Sequence, residues 1–443
     1  MNRSKAAQGT LDLCNMNEGR IVLPSPKRSQ RDTTADGKMP WGLAYAAFSR
    51  TFALAAVSEL KGNKSPIILD PFVGSGTTVE ASLANGCSCT GVDLNPYSAL
   101  TSRVRGVKNQ SRAGIQKVFD TIKIENTRES EGHQEKTEQF YAVASLIDSL
   151  SNRLGIAKSE VIPAICSQKS DALDNELVAL CSTTYAARLL SGVTRGSNPT
   201  WLQGTDEPSE STGTNNLIAL AREISEHMLE SLGAQRNSNA NTYTQVFNCD
   251  FGMSRISRGS IRRFLTSPPY LNRLDYVQSN MPEIRRLTPR THEEIESLRS
   301  QMMGTTKIRS AIDRPTTQAL VSLSANALME EIRCHPTKAS ATYYFRFFLQ
   351  YFLDLERFFA WLSAKTSSDA AGIVVIQDSY YKDIRIPLTD IYCEVAEVYS
   401  FRGEVLESRK KLNHIGQMSP TQRRHAPGKV LTESVLMFKK MPT

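Results

Sequence analysis

One short passage restricts the fold more than any other. The apolar run Ile67-Ile68-Leu69 passes directly into Asp70-Pro71-Phe72-Val73-Gly74-Ser75-Gly76-Thr77-Thr78. Three long or branched apolar residues in succession suit a strand buried on both faces. The glycines that follow permit a tight turn and a close approach of backbone to ligand. A helical pattern from Val79 to Asn85 stops at Gly86, and Cys87 to Leu94 reads as the next strand, ending in Gly91-Val92-Asp93-Leu94-Asn95-Pro96. Strand, loop, helix and strand make a parallel βαβ unit, so the expected class is α/β with a doubly wound, mostly parallel sheet. Ligands of such sheets bind beyond the carboxyl ends of the strands, where Asp70 and Asp93 fall. Asp70 can hold an ammonium or a hydroxyl, and Asp93 follows near the ~20-residue spacing at which such folds hydrogen-bond a ribose. No lysine follows the glycines, which excludes a phosphate-cradling P-loop. A nucleoside carrying a charged amino-acid end fits the passage better than a nucleoside triphosphate.

The remaining pattern surrounds this unit. At roughly 100–200 residues per domain, a chain of 443 residues holds two or three structural units. Residues 1–38 read as a basic, flexible arm. Trp41 to Leu60 carries apolar residues at helical spacing. From 108 to 240 the strand rhythm is interrupted by polar sequence and then helices, the clearest over 215–232, with an exposed loop over Gly204–Asn216. This stretch reads as an inserted helical subdomain. Strand signals resume at Thr244–Asn248, Arg263–Thr266, Gly372–Gln377, Glu404–Lys410 and Glu433–Lys439, the last two as an antiparallel pair. Ile386–Tyr399 reads as a helix. The aromatic segment 343–362 is apolar on nearly every face and reads as a buried core helix, not a base-stacking surface.

A second tetrapeptide carries chemistry. Ser267-Pro268-Pro269-Tyr270 follows a strand, and its prolines fix the backbone without offering N–H groups. A rigid turn rich in acceptors can take hydrogen bonds from an exocyclic amino group, and the Tyr270 ring offers a flat face to a base. Asn272, Asp275 and Tyr276 follow closely enough to line the same pocket.

Together, DPFVGSGTT, GVDLNP and TSPPY resemble the S-adenosylmethionine-dependent DNA methyltransferases that modify exocyclic amino groups, making N4-methylcytosine or N6-methyladenine. The resemblance covers about 41–100 and 244–440. It implies a Rossmann-like methyltransferase domain whose cofactor-binding half is 39–107 and whose catalytic half is 241–443, with 108–240 a candidate for target recognition. It places Asp70, Phe72, Gly74, Ser75, Gly76 and Thr77 around the methionine part of the cofactor, and Asp93 on the ribose. Leu94 and Asn95 fall near the adenine and Asp250 by its amino group. Ser267, Pro268, Pro269 and Tyr270 would hold the flipped base, and Trp41 to Phe52 would flank the cofactor. Serine at the head of the tetrapeptide favours cytosine N4 over adenine N6. No Pro-Cys pair stands at the turn, which separates the chain from enzymes that attack cytosine through a cysteine. The chain departs from its subgroup in motif order, since here the glycine loop precedes the SPPY turn. RNA base N-methylation and a non-catalytic DNA-binding role on the same scaffold stand as alternatives.

Charge and composition agree with a polyanion partner. The formal charge is +8. The stretch 271–340, beginning at the proposed base pocket, is expected to contact DNA through Arg273, Arg285, Arg286, Arg290, Lys307 and Arg309, with Arg299 in the same region. Arg409-Lys410-Lys411 and Arg423-Arg424-His425 are further basic clusters. The resemblance also implies a restriction or defence partner and a cytoplasmic, nucleoid-associated setting of prokaryotic or phage type. The eight cysteines are scattered and read as reduced thiols, the six histidines show no metal spacing, and no run approaches the ~18 apolar residues of a membrane helix.

Overall fold

The computed structural model describes residues 21, 23–26, 48–62, 66–122, 135–195, 202–203, 214–233, 241–272, 274–288, 290–312, 319–411 and 430–442. Most of the basic arm, Trp41 to Ala47, most of the 204–216 loop, Arg273 and Arg423-Arg424-His425 lie outside the described residues.

The elements follow one another as α1 (Arg50–Lys61), β1 (Ile67–Asp70), α2 (Thr77–Ala84), β2 (Ser88–Val92), α3 (Pro96–Arg105), α4 (Arg112–Asp120), α5 (Glu135–Leu154), α6 (Val161–Ser167) and α7 (Asp174–Leu190). A short hairpin, β3 (Thr194–Arg195) and β4 (Leu202–Gln203), leads to α8 (Thr214–Gly233), β5 (Thr244–Phe247) and β6 (Ile261–Thr266). Then come α9 (Tyr276–Ser279), α10 (Met281–Leu287), α11 (His292–Gln301), α12 (Leu323–Cys334), α13 (Phe345–Lys365) and β7 (Thr366–Gln377). A second hairpin, β8 (Ser379–Tyr381) and β9 (Ile384–Ile386), precedes α14 (Leu388–Val398), β10 (Phe401–Lys411) and β11 (Leu431–Lys440).

Seven strands form one mixed, mostly parallel sheet in the order β10-β11-β7-β6-β1-β2-β5. From β7 to β5 every pairing is parallel. β11 runs antiparallel to both of its neighbours, β10 and β7. The βαβ unit read at 67–92 and the antiparallel pair near the end of the chain are both present, and the architecture is compatible with a Rossmann-like fold. The two short hairpins are additions that the sequence pattern did not announce.

Successive strand residues face opposite cores. Ile68, Leu265, Ile373, Val375, Val435 and Met437 pack with α1 on one face. Leu69, Phe264, Val374, Ile376, Leu436 and Phe438 pack on the other with α12, α13 and α14. Burial on both faces is why these strands read as continuous apolar runs and not as an alternation. The aromatic helix α13 lies inside this second core: Phe352, Phe358 and Phe359 are each no more than 1% exposed.

The helices between β2 and β5 share one core with the sheet. Cys89 and Val246 from the strands cluster with Leu100 and Val104 of α3, Ile165 of α6, Val178 of α7 and Ile224 of α8. A buried ion pair joins α3 to α7: Arg103 lies 3.3 Å from Asp174, and both side chains are at most 1% exposed. Asp174 also accepts the backbone N–H groups of Lys108 and Asn109.

Candidate active site

The glycine loop joins the end of β1 to the start of α2, and two carboxylates organise it. Asp70 accepts hydrogen bonds from Thr78 Oγ1 (2.5 Å), Thr266 Oγ1 (2.7 Å) and the Phe72 amide (3.1 Å). It thereby ties β1, α2 and the end of β6 together. Burial pushes its carboxyl up to about 6 against these three donors. Asp93 stands just past β2. Its two oxygens accept the amides of Gly74 (2.9 Å) and Asn95 (2.8 Å), and burial pushes it up to about 7. Gly74 and Gly76 both have positive φ, +52° and +88°. At Gly76 a Cβ would stand 2.8 Å from Ser102 Cα, so glycine is required there by backbone packing as well as by φ.

A cavity of about 1210 Å³, counting solvent at its mouth, opens above these groups. Its wall includes Asp70, Phe72, Gly74, Ser75, Thr77, Asp93, Leu94 and Asp250, together with Ser267, Pro268 and Pro269. The structure thus brings eleven of the fourteen residues expected around cofactor and base to one cavity. Gly76, Asn95 and Tyr270 do not line it. Asn95 lies behind the wall as the N-cap of α3, accepting the amides of Tyr97 and Ser98. Tyr270 is 9% exposed, and the tyrosines of the wall are Tyr97 and Tyr276.

Phe48 also lines the cavity, so the segment expected to flank the cofactor reaches it at its described end. The aromatic side is built from Phe72 and Phe251, backed by the fully buried Phe358, with ring centroids 5.4–5.9 Å apart. Asp250 caps the turn that begins at Phe251 and is clamped by Arg357, whose two terminal nitrogens lie 2.7 and 2.9 Å from its oxygens. The Arg357 guanidinium also lies over the Phe251 ring at 4.3 Å.

Some polar atoms in the wall are left without protein partners. Ser75 Oγ and Thr77 Oγ1 are shielded from solvent and make no hydrogen bond. Both side chains line the cavity, where such hydroxyls can take a ligand group. Among the described residues, the Ser267 hydroxyl also has no hydrogen-bond partner.

The basic stretch is more tightly held than its composition suggests. Arg286 is 5% exposed and donates to the Pro282 carbonyl. Arg309 pairs with buried Asp354 at 2.8 Å, Lys307 with Glu296 at 2.6 Å, and Arg299 with Asp275 at 2.7 Å. Arg285 is exposed and Arg290 partly buried. Sequence reasoning missed Arg357, hidden among phenylalanines, and the wall formed by Ser279, Asn280, Gln301, Met302 and Met303. The second threonine of the glycine loop, Thr78, was the one available signal for the Asp70 network.

Among the described residues no group of three or more His, Cys, Asp or Glu is placed to hold a metal ion. No described helix is long and apolar enough to cross a membrane. No family model matches the chain. Over 97 residues it is 29% identical to the type II methyltransferase M.MjaII of Methanocaldococcus jannaschii. The match spans 18% of this chain and 18% of that protein, less than a fifth of the relative's length.

Proposed function

We propose that the chain transfers a methyl group from S-adenosylmethionine to the exocyclic amino nitrogen of a flipped DNA base, with N4 of cytosine favoured over N6 of adenine. The observation that carries this reading is that the glycine loop and the Ser267–Pro269 turn, distant in sequence, line the same cavity.

The residues present fit the cofactor. Its net positive charge suits a wall that holds Asp70, Asp93 and Asp250. Its adenine fits the aromatic side beside Asp250, and the unpartnered hydroxyls of Ser75 and Thr77 can bind its amino-acid end. Bound there, the cofactor would supply an already activated sulfonium methyl, so no covalent protein nucleophile is needed.

The protein's part is positioning and electrostatics. The amino nitrogen of cytosine or adenine is a poor nucleophile because its lone pair is delocalised into the ring. Ser267 Oγ and the Pro268 carbonyl would accept its two hydrogens and favour a more pyramidal nitrogen. Tyr276 would bound the pocket that the base enters after leaving the duplex. Exposed Arg285 is the candidate from the basic stretch best placed to meet phosphate, since an unpaired surface cation loses no internal partner on binding.

The test is incubation of the purified protein with unmethylated DNA and S-adenosylmethionine, followed by nucleoside mass spectrometry. N4-methylcytosine is the expected product, abolished in Ser267→Ala while cofactor binding by calorimetry is kept. N6-methyladenine would overturn the choice of base alone. Label on RNA with none on DNA would overturn the substrate class.

A further inference from the structure

We propose that Tyr351, buried in the aromatic helix α13, is a positioning residue that aims the acceptors of the Ser267–Tyr270 turn. The catalytic part of this claim rests on the functional reading above; the conformational part does not.

The two prolines have no N–H groups, so apart from the Tyr270 amide, which donates to the Tyr276 hydroxyl, the orientation of the turn depends on what its carbonyls accept. Three successive carbonyls are held. The Tyr351 hydroxyl lies 3.2 Å from the Pro269 oxygen. The Asn272 amide donates to Tyr270 at 2.8 Å, and Ser379 Oγ donates to Leu271 at 2.6 Å. The two acceptors just before them, Ser267 Oγ and the Pro268 carbonyl, are the ones the proposed substrate would use. The turn is held on one side and open on the other.

The direction of the hydrogen bonds follows from valence. A carbonyl only accepts, so Tyr351 spends its single proton on Pro269. Its oxygen lies 2.9 Å from the Tyr392 hydroxyl, a contact in which either group can donate; with the Tyr351 proton on Pro269, Tyr392 is the donor. Both tyrosines are 1% exposed, on α13 and α14. Burial pushes both phenols above the ordinary tyrosine range, so they stay protonated and remain donors at working pH.

The experiment compares Tyr351→Phe with Tyr392→Phe. In Tyr351→Phe, kcat for methyl transfer is expected to fall roughly ten-fold, as loss of one buried hydrogen bond to an aligned group predicts. KM for DNA and the cofactor dissociation constant should stay within about two-fold. Tyr392→Phe should lose less, because Tyr351 keeps its own proton, and the double variant should match Tyr351→Phe. Amide hydrogen exchange supplies a readout free of activity: the Tyr270 and Asn272 amides should exchange faster in Tyr351→Phe while Gly74 and Gly76 do not change. Unchanged exchange at Tyr270 and Asn272 overturns the positioning claim. Faster exchange with wild-type kcat overturns its catalytic part. Wild-type protein without methyl transfer overturns the functional reading, and the exchange comparison still decides whether Tyr351 holds the turn.

Discussion

Replacing Gly76 with alanine should destabilise the protein for two separable reasons. The first is the backbone: φ is +88°, and an L-residue held in the left-handed region costs about 1–2 kcal/mol. The second is the contact: the new Cβ would lie 2.8 Å from Ser102 Cα and 2.9 Å from Arg105 Cδ. The arginine can move, but the Ser102 backbone belongs to α3 and cannot. Overpacking of this kind costs about 1–3 kcal/mol, which brings the total to about 2–5 kcal/mol. Gly155 isolates the first component, because its φ is +65° and nothing lies within 4 Å of its would-be Cβ. Urea unfolding of Gly76→Ala, Gly155→Ala and wild type should therefore show Gly76→Ala losing at least about 1 kcal/mol more than Gly155→Ala. Ser102 Oγ also donates to the Gly74 carbonyl at 2.6 Å, so any shift of α3 reaches the glycine loop and should weaken cofactor binding. Equal losses in the two variants, with cofactor affinity unchanged, would refute the close-approach argument.

Asp70 and Asp93, raised to about 6 and about 7, should make cofactor affinity rise with pH between about 5.5 and 8, as carboxylates form beside a cationic ligand. By linkage, the stability these raised groups confer on the free protein is present below pH ~4 and lost as pH climbs through 6 and 7; calorimetric titrations across that range check both signs. Arg357→Lys should weaken cofactor binding nearly as much as Arg357→Ala, since lysine cannot reproduce the two-point clamp on Asp250; a lysine variant with wild-type affinity would remove the clamp's role. Arg309→Ala should lower the unfolding midpoint by leaving buried Asp354 with only the 3.9 Å contact to Arg357, whereas Arg285→Ala should leave the midpoint alone and reduce the salt dependence of DNA binding in a filter assay.

The βαβ unit was legible because its determinants are local. A buried strand, two glycines and a helix stop lie within one stretch, and their ligand-facing side follows from strand direction. The Ser267–Pro269 turn was legible for the same reason. What could not be read was anything set by a partner far along the chain. Thr266 reaches Asp70 across 196 positions, and Arg357 reaches Asp250 across 107. Charge counting overstated the basic stretch for the same reason. Arg309 and Arg299 look like phosphate ligands until Asp354 and Asp275 are placed beside them. Tyr270 reads as a stacking face in the sequence, which shows an aromatic residue at a turn but not that Tyr97 and Tyr276 are the tyrosines lining the cavity.

The placement of β11 has a bearing on biosynthesis. This strand lies between β7 and β10, yet it is formed by residues 431–440. While the chain is being made, β7 lacks one neighbour and β10 has none until those residues emerge. Until residue 440 has emerged, a ribosome-bound intermediate would therefore leave the apolar β7 with an open edge, the kind of surface that chaperones hold and that aggregates pair through. Slowing synthesis just before residue 431 should lower soluble yield more than a pause of equal length just after α2, where only the first βαβ unit is waiting to close.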